Sequence, residues 1–218
     1  MRITAIAWAA ALLAVAATAA AAAAADAEKE EGFVPLFNGK NLDGWKGDEK
    51  LWHAEDGVLV GKSPGIKYND FLCTGKTYGD FVLRFDVRLR PNSANSGVQF
   101  RSKPVPNSHE VAGYQADIAA GWWGKLYDEA RRRKVLAGPD AEAIKKIVKP
   151  GEWNAYEVRA EGPHITLKVN GTKTVDYTEP EPPEKIARQG IIAVQLHGGG
   201  PLTVEFRNLR IKELDQTP

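Results

Sequence analysis

The segment FVLRFDVRLR, residues 81–90, alternates apolar and charged side chains over its whole length. Successive side chains of a β-strand point to opposite faces, so a period of two is typical of a strand with one buried face. The apolar face comprises Phe81, Leu83, Phe85, Val87 and Leu89. A chain built around this segment needs a second layer to cover that face, which favours a β-sandwich.

Further alternating segments occur at 97–102, 153–169 and 190–214, and the turn pairs Asp56-Gly57 and Asn170-Gly171 each favour a tight hairpin. Together they predict an all-β fold, a jelly-roll sandwich of two antiparallel sheets. Residues 103–150 interrupt the alternation and are interpreted as a long insertion. That insertion contains one short helix, which Asp140 caps.

The first 25 residues combine Arg2, an apolar run and an alanine-rich stretch with A-x-A sites. This pattern is typical of a secretory signal peptide cleaved before Asp26. We expect a linker over 26–31, one domain over 32–214 and a C-terminal tail over 215–218. The mature protein is then exported to the periplasm or the extracellular space.

Without the signal peptide, which carries one of the 29 basic residues, 28 basic residues balance 28 acidic residues. A neutral chain has no electrostatic attraction to nucleic acid or to an anionic membrane surface. We therefore expect no nucleic-acid partner and no stable insertion into a membrane. The single cysteine, Cys73, excludes an intramolecular disulfide framework.

Two strands are predicted to carry polar pairs on the face opposite their apolar residues. Gln99 and Arg101 form one pair, and Gln195 and His197 form the other, just before the run Gly198–Gly200. If these strands are neighbours, amide, guanidinium and imidazole groups form one patch, which suits a ligand rich in hydroxyl groups.

The interrupted segment adds polar and aromatic side chains that suit a carbohydrate, because aromatic faces stack on the apolar hydrogens of sugar rings. These side chains are Tyr114, Gln115, Asp117, Trp122, Trp123, Tyr127, Asp128 and Glu129. Trp122 and Trp123 point in opposite directions in an extended chain, so at most one of them serves as a stacking platform.

Several other chemistries lack their sequence signatures. No strand carries the E-x-D-x-E spacing of a retaining sandwich glycosidase, and H-E-x-x-H and G-x-S-x-G are absent. Four histidines and one cysteine do not form a zinc pattern. No cofactor is expected, with a divalent metal such as calcium as the alternative, since calcium ligands leave a weak trace in sequence.

The ordered motifs of the chain resemble the 3-keto-disaccharide hydrolase family over residues 32–214. They are FVPLFNGKNLDGWKG, NSGVQFRS, GYQADI, GKLYDE, GEWNAYEVRAEGPHITLKVNG, IIAVQLHGGG and VEFRNLRIKEL. The resemblance implies a concanavalin-like jelly roll that cleaves 3-keto-glycosides. It departs from the commoner pattern at Gln115, where many members carry an acidic residue.

A ketone at C3 acidifies the hydrogen on C2, so cleavage needs a base, a donor for the enolate oxygen and an acid for the leaving group. On this resemblance, His197 is the predicted base, Arg101 stabilises the enolate, and Tyr127 or Asp117 protonates the leaving oxygen. The predicted substrate-binding residues are Gln195, Gln99, Asn95, Tyr114, Trp123 and Arg207. The alternative function is a lectin-like carbohydrate-binding module without catalysis.

Overall fold

The computed structural model describes residues 30–180, 182 and 186–215. The predicted signal peptide, most of the predicted linker and most of the predicted tail lie outside these residues. Within them, no helix is both long enough and apolar enough to cross a membrane.

The described residues form fifteen β-strands and one short helix, with antiparallel pairing throughout. In chain order they are β1 (Val34–Pro35), β2 (Trp45–Lys46), β3 (Trp52–Glu55), β4 (Val58–Ser63), β5 (Asp70–Tyr78), β6 (Phe81–Arg90), β7 (Asn95–Pro104), β8 (Val111–Ala119), β9 (Leu126–Glu129), β10 (Lys134–Ala137), α1 (Ala141–Lys145), β11 (Asn154–Glu161), β12 (His164–Val169), β13 (Thr172–Thr178), β14 (Gly190–Leu196) and β15 (Leu202–Glu213).

The strands pack as two sheets. In the described residues, the eight-stranded sheet has the order β13-β12-β11-β6-β15-β4-β3, with β1 paired to β15. The seven-stranded sheet has the order β10-β9-β8-β7-β14-β5-β2. The predicted all-β sandwich of two antiparallel sheets is confirmed.

Strand β6 lies inside the eight-stranded sheet and behaves as its sequence predicts. Its five alternating apolar residues are buried between the sheets, with Phe85 stacked on Tyr156 and in edge contact with Phe206. On the outer face, Arg88 makes a bidentate pair with Glu205. Hydrophobic burial on one face and solvated charge on the other account for the alternation.

Residues 103–150 differ from the predicted loop insertion, because they supply β8, β9 and β10 to the seven-stranded sheet. Strand β8 buries side chains on both faces, so its sequence shows no alternation. Strands β9 and β10 have four residues each, which is too short to establish a period. The predicted helix is present as α1, and the Asp140 side chain accepts from the backbone N–H groups of Glu142 and Ala143.

Candidate functional site

The outer face of the seven-stranded sheet, which points away from the sandwich core, carries a cluster of polar side chains. Strand β7 sends Val98 and Phe100 into the core, so Gln99 points outward. Strand β14 pairs with β7, which meets the condition for one shared polar patch, and β8 follows on the other side of β7. The polar face defined here comprises Gln99, Gln115, Asp117, Tyr127 and Gln195.

Register places most of this polar face in one row across the sheet. Gln99 lies opposite Ala193 on one side and Gln115 on the other, and Gln115 lies opposite Tyr127. Strands two positions apart are separated by about 10 Å, a distance that one sugar ring and the side chains around it can span. The row therefore extends across β14, β7, β8 and β9.

These polar groups are buried although they face away from the core. Gln99 and Gln195 are 0% exposed, and Gln115 and Asp117 are each 4% exposed. A second apolar cluster containing Phe71, Ala193 and Val111 packs on this side of the sheet. The segments that precede β5 and β8 also meet, through a stack of Tyr68 on His109 with ring centroids 4.6 Å apart.

Side-chain hydrogen bonds connect three residues of the polar face. Gln99 Nε2 donates to Gln115 Oε1 at 3.2 Å, and Gln115 Nε2 donates to Asp117 Oδ1 at 2.8 Å. The Gln115 side chain lies over Gly97, where an added Cβ would be only 2.6 Å from Gln115 Cδ. A side chain larger than that of glycine at this position in the NSGVQF motif would therefore displace Gln115 from its present position.

Four buried atoms of this face have no hydrogen-bond partner among the described residues. They are Gln99 Oε1, Asp117 Oδ2 and both Gln195 side-chain atoms, Oε1 and Nε2. Leaving a buried polar group unpaired costs about 1–3 kcal/mol. These unpaired atoms lie on one face of the sheet.

Asp117 is the carboxyl of the polar face, and its pKa is raised to about 7. Burial is the main cause of the rise and the nearby Glu129 adds to it, while the hydrogen bond from Gln115 and the charge of Lys125 oppose it. Glu129 lies on the same outer face of β9, and burial raises its pKa as well. A carboxyl that gains and loses its proton near neutral pH is suited to acid–base catalysis.

His197 follows the last residue of β14 and is half-buried. Its Nδ1 is 2.7 Å from the carbonyl oxygen of Gly198, which can only accept a hydrogen bond. The proton of the neutral ring therefore resides on Nδ1, and Nε2 keeps a free lone pair. The Asn69 side chain holds the Gly198 N–H at 2.8 Å and so fixes the start of the glycine loop.

His197 and Asn95 line one groove, called the glycine-loop groove here, with a volume of about 440 Å³. Its other lining residues are Pro91, Ser93, Ala94, Gly198, Gly199, Gly200, Pro201 and Leu202. Asn95, the first residue of β7, thus lies beside His197 as a polar group of the site.

The structure corrects the prediction that Arg101 lies beside Gln99. A β-bulge between Phe100 and Lys103 and a φ of 47° at Arg101 reverse the direction of its side chain. The guanidinium is fully buried, bound to Asp80 at 2.6 Å and to the carbonyl oxygens of Gly79 and Gly162. Arg101 joins loops of the two sheets and does not reach the polar face.

Two predicted aromatic contacts are also corrected. Tyr114 stacks on Phe100 in the core and donates to Glu179 at 2.9 Å. Trp123 is buried in the same core, whereas Trp122 is 42% exposed and lies edge-on to Tyr127 with ring centroids 6.1 Å apart. Trp122 is therefore the exposed tryptophan of the pair, with Lys125 Nζ over its ring at 4.5 Å from the centroid, because the turn after β8 directs Trp123 inward.

Arg207 lies on the opposite side of the sandwich from the polar face. It occupies the outer face of the eight-stranded sheet, where it donates to Asp86 at 3.1 Å and covers the ring of Trp153. The structure therefore does not bring Arg207 to the polar face, because the core separates the two outer faces.

Gln115 and Glu129 belong to the site but are absent from the predicted site residues. The sequence identifies both as polar residues of an irregular segment. Whether they point to the same face of the sheet depends on the register of β8 and β9. Among the described residues, no group of three or more histidine, cysteine, aspartate or glutamate side chains is arranged to hold a metal ion.

Solved structures with this architecture are diverse. A protein from Parabacteroides distasonis ATCC 8503, provisionally assigned as a glycosyl hydrolase, is 24% identical, covers 86% of this chain and 96% of its own, and gives a TM-score of 0.65. The carbohydrate-binding module CBM66 from Bacillus subtilis is 16% identical over 78% of this chain and 96% of its own, with a TM-score of 0.60. At these identities the likeness establishes the fold.

No curated protein matches the chain significantly. A sequence model of the 3-keto-alpha-glucoside-1,2-lyase-like domain matches residues 32–212, which include the polar face, His197 and the glycine loop. This is the family that the sequence motifs predicted, there called the 3-keto-disaccharide hydrolases. Because the match spans most of the chain, this protein belongs to the 3-keto-alpha-glucoside-1,2-lyase-like domain family and is carbohydrate-active.

Proposed function

We propose that this protein cleaves 3-keto-glycosides by eliminating the C1 substituent and then hydrating the product. One observation carries the proposal: an imidazole with a free Nε2 and a buried carboxyl with a pKa near neutrality flank the same unpartnered amides. This arrangement supports proton transfer at the two adjacent carbons C1 and C2 of one sugar ring.

In the first step, His197 Nε2 removes the proton from C2, next to the ketone. The electron pair forms an enolate between C2 and C3, and Gln195 Nε2 is a buried donor without a partner that suits its oxygen. Gln195 takes the role first predicted for Arg101, which lies in a structural ion pair.

In the second step, the enolate collapses, the C1–O bond breaks, and a double bond forms between C1 and C2. Protonated Asp117 gives its proton to the leaving oxygen, since its raised pKa keeps part of the population protonated near pH 7. Tyr127, whose pKa burial raises, stays protonated and serves as a hydrogen-bond donor beside it. Water then adds across the new double bond, with hydroxyl at C1 and hydrogen at C2.

Trp122 supplies the apolar surface for the ring, and the amides of Gln99 and Gln195 bind its hydroxyl groups. We further propose that the protein acts after export, with a mature chain starting at Asp26. Intact mass of the protein secreted from an expressing cell tests this cleavage site.

The defining experiment mixes the mature protein with a 3-keto-glucoside and, separately, with its unoxidised parent, in deuterated water followed by NMR. We expect release of the aglycone from the keto sugar alone, with deuterium at C2. A parallel sample with chelator tests the divalent-metal alternative, because loss of activity there would require a bound metal.

The Asp43→Asn variant, which alters an exposed carboxylate, serves as a matched control for Asp117→Asn. Equal rates for all three proteins would refute the role of Asp117. Cleavage of the unoxidised parent would indicate an ordinary glycosidase. Binding of both sugars without release would indicate a carbohydrate-binding module.

A further inference from the structure

A second groove, called the basic groove here, continues from the glycine-loop groove around the end of the sandwich. Pro91, Pro201 and Leu202 line both grooves. The basic groove has a volume of about 570 Å³, which is enough for a second sugar unit or an aromatic aglycone. A ligand with its reactive carbon near His197 can therefore extend into it.

The ionisable side chains that line the basic groove are all basic. Its lining contains Lys50, Lys62, Arg90 and His53, and no described residue in that lining is a carboxylate. Register brings these groups together, since Thr203 of β15 lies directly opposite both Arg90 of β6 and Lys62 of β4. The hydroxyls of Ser63 and Thr203 add neutral donors to the same wall.

Neighbouring acids neutralise only part of this charge. Glu205 accepts from Arg90 at 2.6 Å but is shared with Arg88, and Glu55 lies 3.7 Å from His53. Lys50 and Lys62 form no ion pair with any described side chain. Two ammonium groups therefore remain available to an incoming anion.

We infer that the leaving-group side of the substrate carries an anionic group, which Lys50 and Lys62 bind in the basic groove. This inference rests on the proposed function and adds the class of aglycone that the site prefers. A carboxylate on the aglycone, as in a phenolic acid or a uronic acid, would pair with the two lysines while C1 and C2 of the sugar lie between Asp117 and His197. Exposed ion pairs of this kind are weak and are screened by salt, so the selectivity should decrease as the ionic strength rises.

The test uses two 3-keto-glucosides, of 4-hydroxybenzoate and of 4-hydroxybenzamide, which differ in charge but little in shape. Their kcat/KM ratio is measured for the wild type, for Lys50→Gln/Lys62→Gln and for the exposed control Lys103→Gln. Comparing ratios between proteins cancels the difference in leaving-group reactivity. We expect the double variant to lower the ratio about five- to tenfold and the control to leave it unchanged.

Binding of the two unoxidised parent glucosides, measured by NMR titration at low and high salt, separates this inference from the proposed function. A wild-type preference for the carboxylate that disappears in the double variant supports the basic groove even if no keto sugar is cleaved. Turnover of both keto sugars with the same ratio in all three proteins, or binding without charge preference, overturns the inference and leaves the proposed function intact.

Discussion

Replacing Asp117 by asparagine should change the pH dependence of stability in a direction set by its burial. The pKa of Asp117 is about 7 in the folded protein, against 3.8 for an ordinary aspartate. Between these values the unfolded chain is ionised while the folded chain keeps the proton, so stability falls as the pH rises. A difference of about three between the two pKa values corresponds to about 4 kcal/mol in the free energy of unfolding.

Asparagine is nearly isosteric with protonated aspartate and keeps an oxygen to accept from Gln115. We therefore expect Asp117→Asn to match the wild type in free energy of unfolding near pH 4. At pH 8 the variant should be more stable by up to about 4 kcal/mol, because it buries no ionised group. The gain should appear gradually between pH 4 and pH 7.

Urea unfolding at intervals from pH 4 to pH 8, followed by tryptophan fluorescence, measures this difference directly. Asp43→Asn, at an exposed position, controls for the loss of one negative charge. A stability difference between Asp117→Asn and wild type that stays constant over this range would refute the reasoning, since a carboxyl with an ordinary pKa gives no such trend. Activity lost by the same variant would then need another explanation.

Three further perturbations test other parts of the site and core. His197→Gln should lower kcat about 10²- to 10⁴-fold on a 3-keto-glucoside without altering urea unfolding, and an unchanged kcat would exclude it as the base. Gly97→Ala should destabilise the fold by about 1–3 kcal/mol and reduce activity by displacing Gln115, both measured on one preparation. Burial alone would raise the pKa of Glu179, but hydrogen bonds from Arg132 and two tyrosines outweigh it and lower the pKa to about 2. Glu179→Gln should therefore cost about 3 kcal/mol at pH 7, and its difference from wild type should shrink as the pH falls from 4.5 towards 2.

The sequence was sufficient for the parts of the site that depend on one strand at a time. Period two in β7 and β14 placed Gln99 and Gln195 on the outer face of their strands, and the structure pairs those strands. The same rule was wrong for Arg101, because a single bulge residue with positive φ reverses the alternation. No pattern in the local sequence predicts such a residue.

Strand β8 shows why the other half of the site was harder to predict. Its side chains are buried on both faces, by the sandwich core on one side and by the covered polar face on the other, so alternation is absent. Gln115 and Glu129 become site residues only when β8 and β9 join the sheet. Their partners are distant along the chain, and sequence spacing does not indicate them.

The sequence by itself determined the sandwich class and the family, since both depend on local periodicity and on ordered motifs along the chain. It also placed the imidazole of His197 next to a glycine loop. Only the tertiary structure decided which polar groups share the outer face, which one is buried enough to raise its pKa, and which arginines serve stability instead of chemistry. These properties arise from register and desolvation, which depend on contacts between segments far apart in sequence.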